Sequence, residues 1–155
     1  MFDKDRFIED CKEAIYDGQK AIREVVKRAI SDPSDVLREI GEPGPAGITP
    51  LYRSETLTIM NFVWAPYMSL VPHNHNMFSV VGLYSGREDN AFWKRSDEGI
   101  EIAGGKTLGV GDVATLGRDI IHSVVNPISK KTMAFHVYGG DFLAPNETRS
   151  QWEHE

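Results

Sequence analysis

From residue 48 to about residue 143 the sequence is a succession of short apolar, aromatic and β-branched runs that end at Gly, Pro, Asn or Asp. Examples are LTIMNFVW, MFSVVGLY, NAFWKR, IIHSVVN and TMAFHVYGG. Runs of this length and composition are typical of β-strands. So many of them in close succession predict a mainly β fold, either an antiparallel sandwich or a small barrel.

The first 45 residues have a different pattern. Apolar side chains recur there at helical spacing, in one group from Phe7 to Ile15 and in a second from Ile22 to Ile30. Gly18 separates the two predicted helices. A third short helix is expected after Asp32, which can cap it, with Pro33 at its first position. The stretch EPGPAG then forms a linker. We therefore predict one domain in which residues 1–45 form a helical segment packed on the barrel and residues 46–155 form the barrel and a C-terminal tail.

Composition narrows the possible partners and the compartment. The formal net charge of -6 argues against nucleic acid or an anionic membrane as the main partner. The single cysteine, Cys11, cannot form an internal disulfide, which favours a reducing, cytoplasmic setting. The N-terminus is acidic and unlike a signal peptide, and no apolar run approaches the roughly 18 residues that a membrane span needs. The expected partner is a small molecule, and the chain is expected to be a monomer or a homodimer.

Two histidines stand out within one predicted strand. His73 and His75 are two residues apart, so they share a face of the strand and can form half of a metal site. A third ligand has to come from a distant strand, and His122 is the candidate. His136 shares a strand face with Ala134 and Tyr138. His154 lies in a polar tail and is expected to be exposed to solvent.

These residues resemble the two sequence motifs of the cupin superfamily, whose members are double-stranded β-helix barrels. The first motif is H-x-H followed by Glu and Gly, and the second contains Gly, His and Asn. The positions that match are His73, His75, Gly86, Gly111, His122 and Asn126, while Gly117 and Asp119 replace the usual Pro and Gly of the second motif. The resemblance implies a cupin jelly-roll barrel preceded by N-terminal helices, with His73, His75 and His122 as metal ligands. Ser79 stands where many cupins carry a glutamate ligand.

Within the cupins, the missing glutamate ligand and the late HVYGG segment resemble the thiol dioxygenases, such as cysteine dioxygenase and 3-mercaptopropionate dioxygenase. That resemblance implies an iron(II) enzyme that oxidises a small thiol to a sulfinic acid with dioxygen. Three neutral imidazoles leave the full charge of Fe(II) in place, which favours an anionic thiolate. Zn, Ni or Mn could also occupy such a site.

The resemblance further implies roles for residues around the metal. The family carries S-x-H-x-Y on a late strand, and here His136 and Tyr138 match while Ala134 replaces the serine. The family's substrate carboxylate is held by an arginine, for which Arg53 is the first candidate and Arg149 the second, because a guanidinium offers a bidentate fork to a carboxylate. Ser79 completes the candidate substrate-binding set.

Two other functions stay open on the sequence alone. One is a different metal-dependent cupin enzyme, an isomerase or hydrolase that uses Tyr138 and His136 as acid and base. The other is a non-catalytic cupin that senses a metal or a small ligand. Metal content together with thiol-dependent oxygen uptake separates the three hypotheses.

Overall fold

Three helices precede the strands in the computed structural model, which describes residues 1–145 and 149–152. They are α1 (Lys4–Ala14), α2 (Gln19–Ala29) and α3 (Pro33–Ile40), and a single 3-10 turn follows α1. The predicted cap of the third helix is present, because the Asp32 carboxylate accepts a hydrogen bond from the Ser34 amide. Gly18 separates the first two helices with a φ of 90°, a conformation that favours glycine. His154 lies outside the described residues.

Within the described residues, nine strands follow the helices and form two antiparallel sheets. They are β1 (Gly47–Arg53), β2 (Thr58–Trp64), β3 (Ser69–Asn74), β4 (Ser79–Ser85), β5 (Glu88–Ser96), β6 (Gly99–Leu108), β7 (Val113–Leu116), β8 (Ile121–Val125) and β9 (Thr132–Tyr138). The first sheet has the order β1-β2-β9-β4-β7 and the second the order β3-β8-β5-β6. The predicted fold class is confirmed: the chain is a mainly β, double-stranded β-helix barrel with helices before it.

The helices cover the outer face of the five-stranded sheet. Their apolar residues, including Ile22 and Val26, form one buried cluster with sheet residues such as Val80 and Phe135. Gly82 on β4 allows this close approach, because a Cβ there would overlap the Val26 side chain. The amphipathic pattern of the N-terminal segment is therefore explained by a helix–sheet interface.

The other face of the same sheet lines the barrel interior, and β9 shows the alternation most clearly. Met133, Phe135 and Val137 belong to the helix–sheet cluster. Ala134 belongs to a separate interior cluster, and His136 lines the interior cavity. This division follows from the two-residue period of a strand, and it agrees with the faces assigned from the sequence.

Two motif residues have structural roles. Gly86 has a φ of 88°, and a Cβ there would overlap Thr132. Asn126 is fully buried, where its amide donates to Ala65 O at 3.0 Å and to Lys130 O at 2.9 Å. Gly86 and Asn126 therefore shape the loops that directly follow β4 and β8.

Among the residues described, the helices are too short or too polar to cross a membrane.

The packing of helices on the sheet gives a stability prediction. Ile22 is fully buried at this interface, whereas Ile102 on β6 is 64% exposed. Ile22→Ala should lower the free energy of unfolding by about 2–5 kcal/mol, because it removes buried methyl groups and leaves a cavity. The matched control, Ile102→Ala, should change it by less than about 0.5 kcal/mol. Urea denaturation measures both, and equal effects would contradict the interface.

Candidate metal centre

Three imidazoles from two strands and one turn converge inside the barrel. His73 on β3 lies directly opposite His122 on β8. The Nε2 atom of His75 is 3.1 Å from Nε2 of His73 and 3.3 Å from Nε2 of His122. An ion bound at about 2.1 Å holds two nitrogens about 3.0 Å apart at a right angle and about 3.4 Å apart at a tetrahedral angle. The separations from His75 to each of the other two rings therefore fit a shared ion, and the three ligand atoms all lie within 4.8 Å of one another.

His75 does not lie on the same strand as His73, although their spacing of two residues predicted that it would. β3 ends at Asn74, so His75 lies one residue beyond the strand. The turn that follows includes Asn76 in the left-handed conformation, with a φ of 57°. His75 reaches the common point from this turn, while His73 reaches it from the strand.

Hydrogen bonds determine which nitrogen of two rings faces the common point. The Nδ1–H of His73 donates to Val71 O at 2.8 Å, and the Nδ1–H of His122 donates to Asn90 Oδ1 at 2.9 Å. Each ring therefore presents its Nε2 lone pair to the interior. A cation at the common point would accept both of these lone pairs together with that of His75. The donor set and its geometry fit a divalent metal ion.

Burial also keeps the three rings in the neutral form that binds metals. Desolvation is the main cause of the lowered pKa of each ring, and the other imidazoles add to it for His75 and His122. The pKa of His75 falls to about 3, and that of His122 lies well below its usual value. At neutral pH protons therefore do not compete with an ion for these nitrogens.

His136 and Tyr138 lie beside this cluster on β9. His136 Nδ1 and Tyr138 Oη share a hydrogen bond of 3.0 Å, while Nε2 of His136 is buried without a partner among the described residues. Ala134, two residues earlier, supplies no hydroxyl to it. Burial lowers the pKa of His136 to about 3 and raises that of Tyr138 well above its usual value. The pair is therefore neutral at physiological pH.

Tyr138 is held by aromatic contacts at the metal-facing end of the barrel. Its ring stacks on Phe142 with centroids 4.0 Å apart and meets the His75 ring edge-on at 5.1 Å. These contacts place the phenol next to a candidate metal ligand.

Ser79 and the two arginines occupy three different environments. Ser79 is fully buried, and its Oγ has no partner among the residues described. The Arg53 side chain is half-exposed to solvent, and its Nε donates to Asp141 Oδ1 at 2.8 Å. Arg149 lies over the Phe142 ring at 4.8 Å. The charge of Arg149 contributes to the pKa shifts of His75 and Tyr138. Arg149 therefore acts more strongly than Arg53 on the electrostatics of the cluster.

The cluster opens into a cavity of about 140 Å³. Imidazoles and the Tyr138 phenol form its polar wall. Gln151, near the C-terminal end, also lines the cavity. The rest is apolar and aromatic: Ile48, Phe62, Trp64, Leu70, Val71, Val124 and Phe142. The C-terminal segment reaches this place because it pairs with β3, with Ser150 N donating to Asn74 Oδ1 at 2.7 Å. Neither Arg53 nor Arg149 is among these lining residues.

Glu88 and Asn90 were missed in the sequence analysis. Both are buried on β5, and Asn90 joins the Glu88 carboxyl group to the ring of His122. Their spacing of two residues at the start of a strand was an available signal for a shared interior face. Charged residues usually face solvent, which makes this signal easy to overlook.

Solved structures with a similar fold agree with the double-stranded β-helix architecture of this chain. No protein-family model matches the sequence, and no curated protein sequence matches it either. A cupin-family protein with a double-stranded β-helix fold from Methanocaldococcus jannaschii superimposes with a TM-score of 0.54 at 13% identity, covering 66% of this chain and 86% of that one. An uncharacterised double-stranded β-helix protein from Klebsiella pneumoniae gives 0.50 at 14% identity, over 76% and 95%.

Oxalate oxidase in complex with glycolate is also similar, with a TM-score of 0.52 at 13% identity. The match covers 72% of this chain and 58% of that one. At such low identity these similarities show the fold alone. The narrower resemblance to thiol dioxygenases stays a prediction.

Removal of one imidazole should abolish the metal site. His75→Ala should lower the metal content after loading and desalting from about one ion per chain to a small fraction, because three ligands leave no redundancy. Gln151→Ala is the control, since Gln151 lines the same cavity and its side chain is not one of the three convergent ligands. Elemental analysis measures both variants, and full metal content in His75→Ala would contradict the site.

The shifted pKa values predict how the metal-free protein responds to acid. Each of the four interior histidines has a pKa below its ordinary value of 6.5, so the unfolded chain binds more protons and their stabilising contribution is lost as pH falls below about 6.5. Glu88 acts in the opposite sense: its pKa is raised from 4.5 to about 7, so its contribution is lost as pH rises through that range.

The destabilising effect of acid through the four histidines should exceed the opposite effect through Glu88. The melting temperature should therefore fall between pH 6.5 and pH 4.5. Glu88→Gln removes the opposing contribution, so its melting temperature should fall more steeply over the same interval. Thermal melts with a chelator at constant ionic strength test both statements. A flat profile in the unmodified protein would show that the histidines are not buried as neutral rings.

Proposed function

We propose that this chain is a mononuclear iron(II) dioxygenase that oxidises a small thiol to its sulfinic acid. Both atoms of dioxygen are added to the sulfur, so the thiol and dioxygen are consumed one to one. The observation that supports this best is the donor set, three convergent neutral imidazoles with Ser79 in the position of the glutamate ligand. Iron(II), when bound, would supply the redox chemistry between thiolate and dioxygen.

Charge is the first argument for a thiolate substrate. His73, His75 and His122 would hold a divalent ion without cancelling any of its charge, whereas a carboxylate ligand would cancel part of it. An uncompensated cation in a buried site favours an anionic ligand and lowers the pKa of a thiol that approaches it. A soft thiolate suits a site with imidazole ligands and open positions.

The cavity sets the size and the character of the substrate. Its volume is about 140 Å³. Only a small molecule fits, and the aromatic and aliphatic lining favours a substrate with a short apolar body. The indole N–H of Trp64 has no partner among the described residues, so it is available to an acceptor on such a molecule.

Tyr138, supported by His136, would donate a proton or a hydrogen bond to the substrate. Because burial raises the pKa of Tyr138, its hydroxyl keeps its proton at neutral pH and can donate to an anionic group in the cavity. The hydrogen bond to His136 Nδ1 and the stack on Phe142 hold the phenol in place. A positioned donor of this kind is what general acid catalysis requires.

Arg149 is the better candidate of the two arginines for attracting an anionic substrate. Arg53 is already paired with Asp141. Arg149 donates to the backbone oxygens of Phe142 and Ala144, and its charge acts on His75 and Tyr138. We therefore assign it an electrostatic role at the site.

A second candidate function is a non-redox metal enzyme, an isomerase or hydrolase. The Nε2 atom of His136 favours it, because this buried nitrogen has no partner among the described residues and belongs to a ring that lines the cavity. A ring nitrogen of this kind can exchange a proton with a substrate.

Oxygen uptake under iron-replete conditions tests the proposal. The panel contains cysteine, 3-mercaptopropionate and cysteamine, with the sulfinic acid identified by mass spectrometry. We expect uptake with at least one of them and one oxygen consumed per thiol. No uptake with any small thiol, in protein that holds iron, would leave the non-redox enzyme or a sensor as the better interpretation.

The tyrosine variant tests the proton donor. Tyr138→Phe should keep its metal and lose roughly 10²–10⁴-fold in turnover, because only the positioned hydroxyl is removed. Tyr84→Phe is the matched control, since Tyr84 is equally buried but donates to Asn61 and packs with the helices. Unchanged turnover in Tyr138→Phe would show that the phenol has no part in the reaction.

A further inference from the structure

Three buried side chains form a hydrogen-bonded chain that begins at the candidate metal ligand His122 and ends at Glu88. His122 donates from Nδ1 to Asn90 Oδ1 at 2.9 Å, and Asn90 donates from Nδ2 to Glu88 Oε1 at 3.0 Å. Glu88, Asn90 and His122 are 1%, 8% and 3% exposed. A buried carboxyl group is costly unless a specific interaction compensates it, so its presence here requires an explanation.

The directions of these hydrogen bonds follow from the requirements of a metal ligand. If Nε2 of His122 binds an ion, its Nδ1 must carry the proton and needs an acceptor. Asn90 provides one only when its oxygen, and not its NH₂ group, faces the ring. An asparagine amide has a donor on one side and an acceptor on the other, so a residue beyond it must fix which side faces the imidazole.

Glu88 is suited to that task. A carboxyl group can accept from the Asn90 NH₂ through Oε1 in both its ionised and its protonated form, so the orientation holds in either state. The second oxygen, Oε2, is buried without a partner in the part of the chain that the structure describes. The hydrogen bond to Asn90 is therefore the interaction that accounts for the position of this side chain.

We propose that Asn90 and Glu88 are positioning residues of the metal centre: Asn90 fixes the tautomer and orientation of His122, and Glu88 fixes the orientation of the Asn90 amide. This inference rests on the proposed metal-binding function. It adds two residues outside the ligand set, and neither of them lines the cavity.

Metal affinity, measured by calorimetry with Fe(II) under anaerobic conditions and with Zn(II), is the first readout. Asn90→Leu should weaken binding about 10- to 100-fold, the range expected when the partner of a ligand is lost. Asn61→Leu is the matched control, because Asn61 is a strand asparagine of equal burial that accepts from Tyr84 away from the metal centre. A folded Asn90→Leu protein with unchanged affinity would overturn the proposal.

Two substitutions of Glu88 separate orientation from charge. Glu88→Gln keeps an oxygen that can accept from Asn90 but adds an NH₂ group that can face the Asn90 amide instead, so its affinity should fall less than that of Glu88→Leu, which should lose about tenfold or more. Equal losses in the two variants would show that an accepting oxygen at position 88 does not help the metal centre and would refute the positioning role of Glu88. Equal retention in both would show that Asn90 needs no support.

The tautomer of His122 is a readout that needs no metal. Ring ¹⁵N chemical shifts of the chelated, metal-free protein should show the proton on Nδ1, and Asn90→Leu should populate the other tautomer. A proton on Nε2 in the unmodified protein would overturn the proposal. This measurement also separates a failure of the metal centre from a failure of the positioning proposal. If no divalent ion binds the unmodified protein, the metal centre is refuted. The tautomer of His122 still tests the hydrogen-bonded chain from Glu88 to His122.

Discussion

The seven side chains of β9 are all buried, and their alternation connects the two halves of the molecule. Phe135 stacks against Phe2 and packs with Phe7 on the helical side, while His136 and Tyr138 face the cavity. A shift of one residue in the pairing of β9 would exchange these faces, placing imidazole and phenol in the helix–sheet core and a phenyl ring beside the metal ligands. The N-terminal helices therefore help to hold the candidate site in register, although none of their residues lines its cavity.

Burial is the second constraint, and it acts on every titratable group of the interior in the same sense. It disfavours charge, so it lowers the pKa of the histidines and raises the pKa of Tyr138 and Glu88. The result is an interior in which imidazoles are neutral and a phenol keeps its proton. A cation bound by such ligands would retain its charge, and this is the physical basis for proposing an anionic substrate.

Much of this organisation was accessible from residue patterns. The period of two along a strand assigned Ala134, His136 and Tyr138 to one face, and the structure confirms it. Helical spacing and capping residues predicted the three N-terminal helices. The convergence of His73 and His122 followed from a motif match, because the spacing between motif positions reflects strand and turn lengths that are shared by barrels of this type. Each of these inferences uses contacts that are local in sequence or a pattern that recurs at fixed offsets.

What the sequence by itself determined is therefore the class of the fold, the faces of its strands and the identity of the converging imidazoles. Only the tertiary structure decided that Arg53 pairs with Asp141, that Glu88 faces inward, and that Gln151 reaches the cavity beside His73. These contacts join positions far apart in the chain, or depend on how the sheets close on each other. Local patterns specify which way a side chain points within its strand, but its neighbours across the barrel are specified by register and closure, which depend on the whole chain at once.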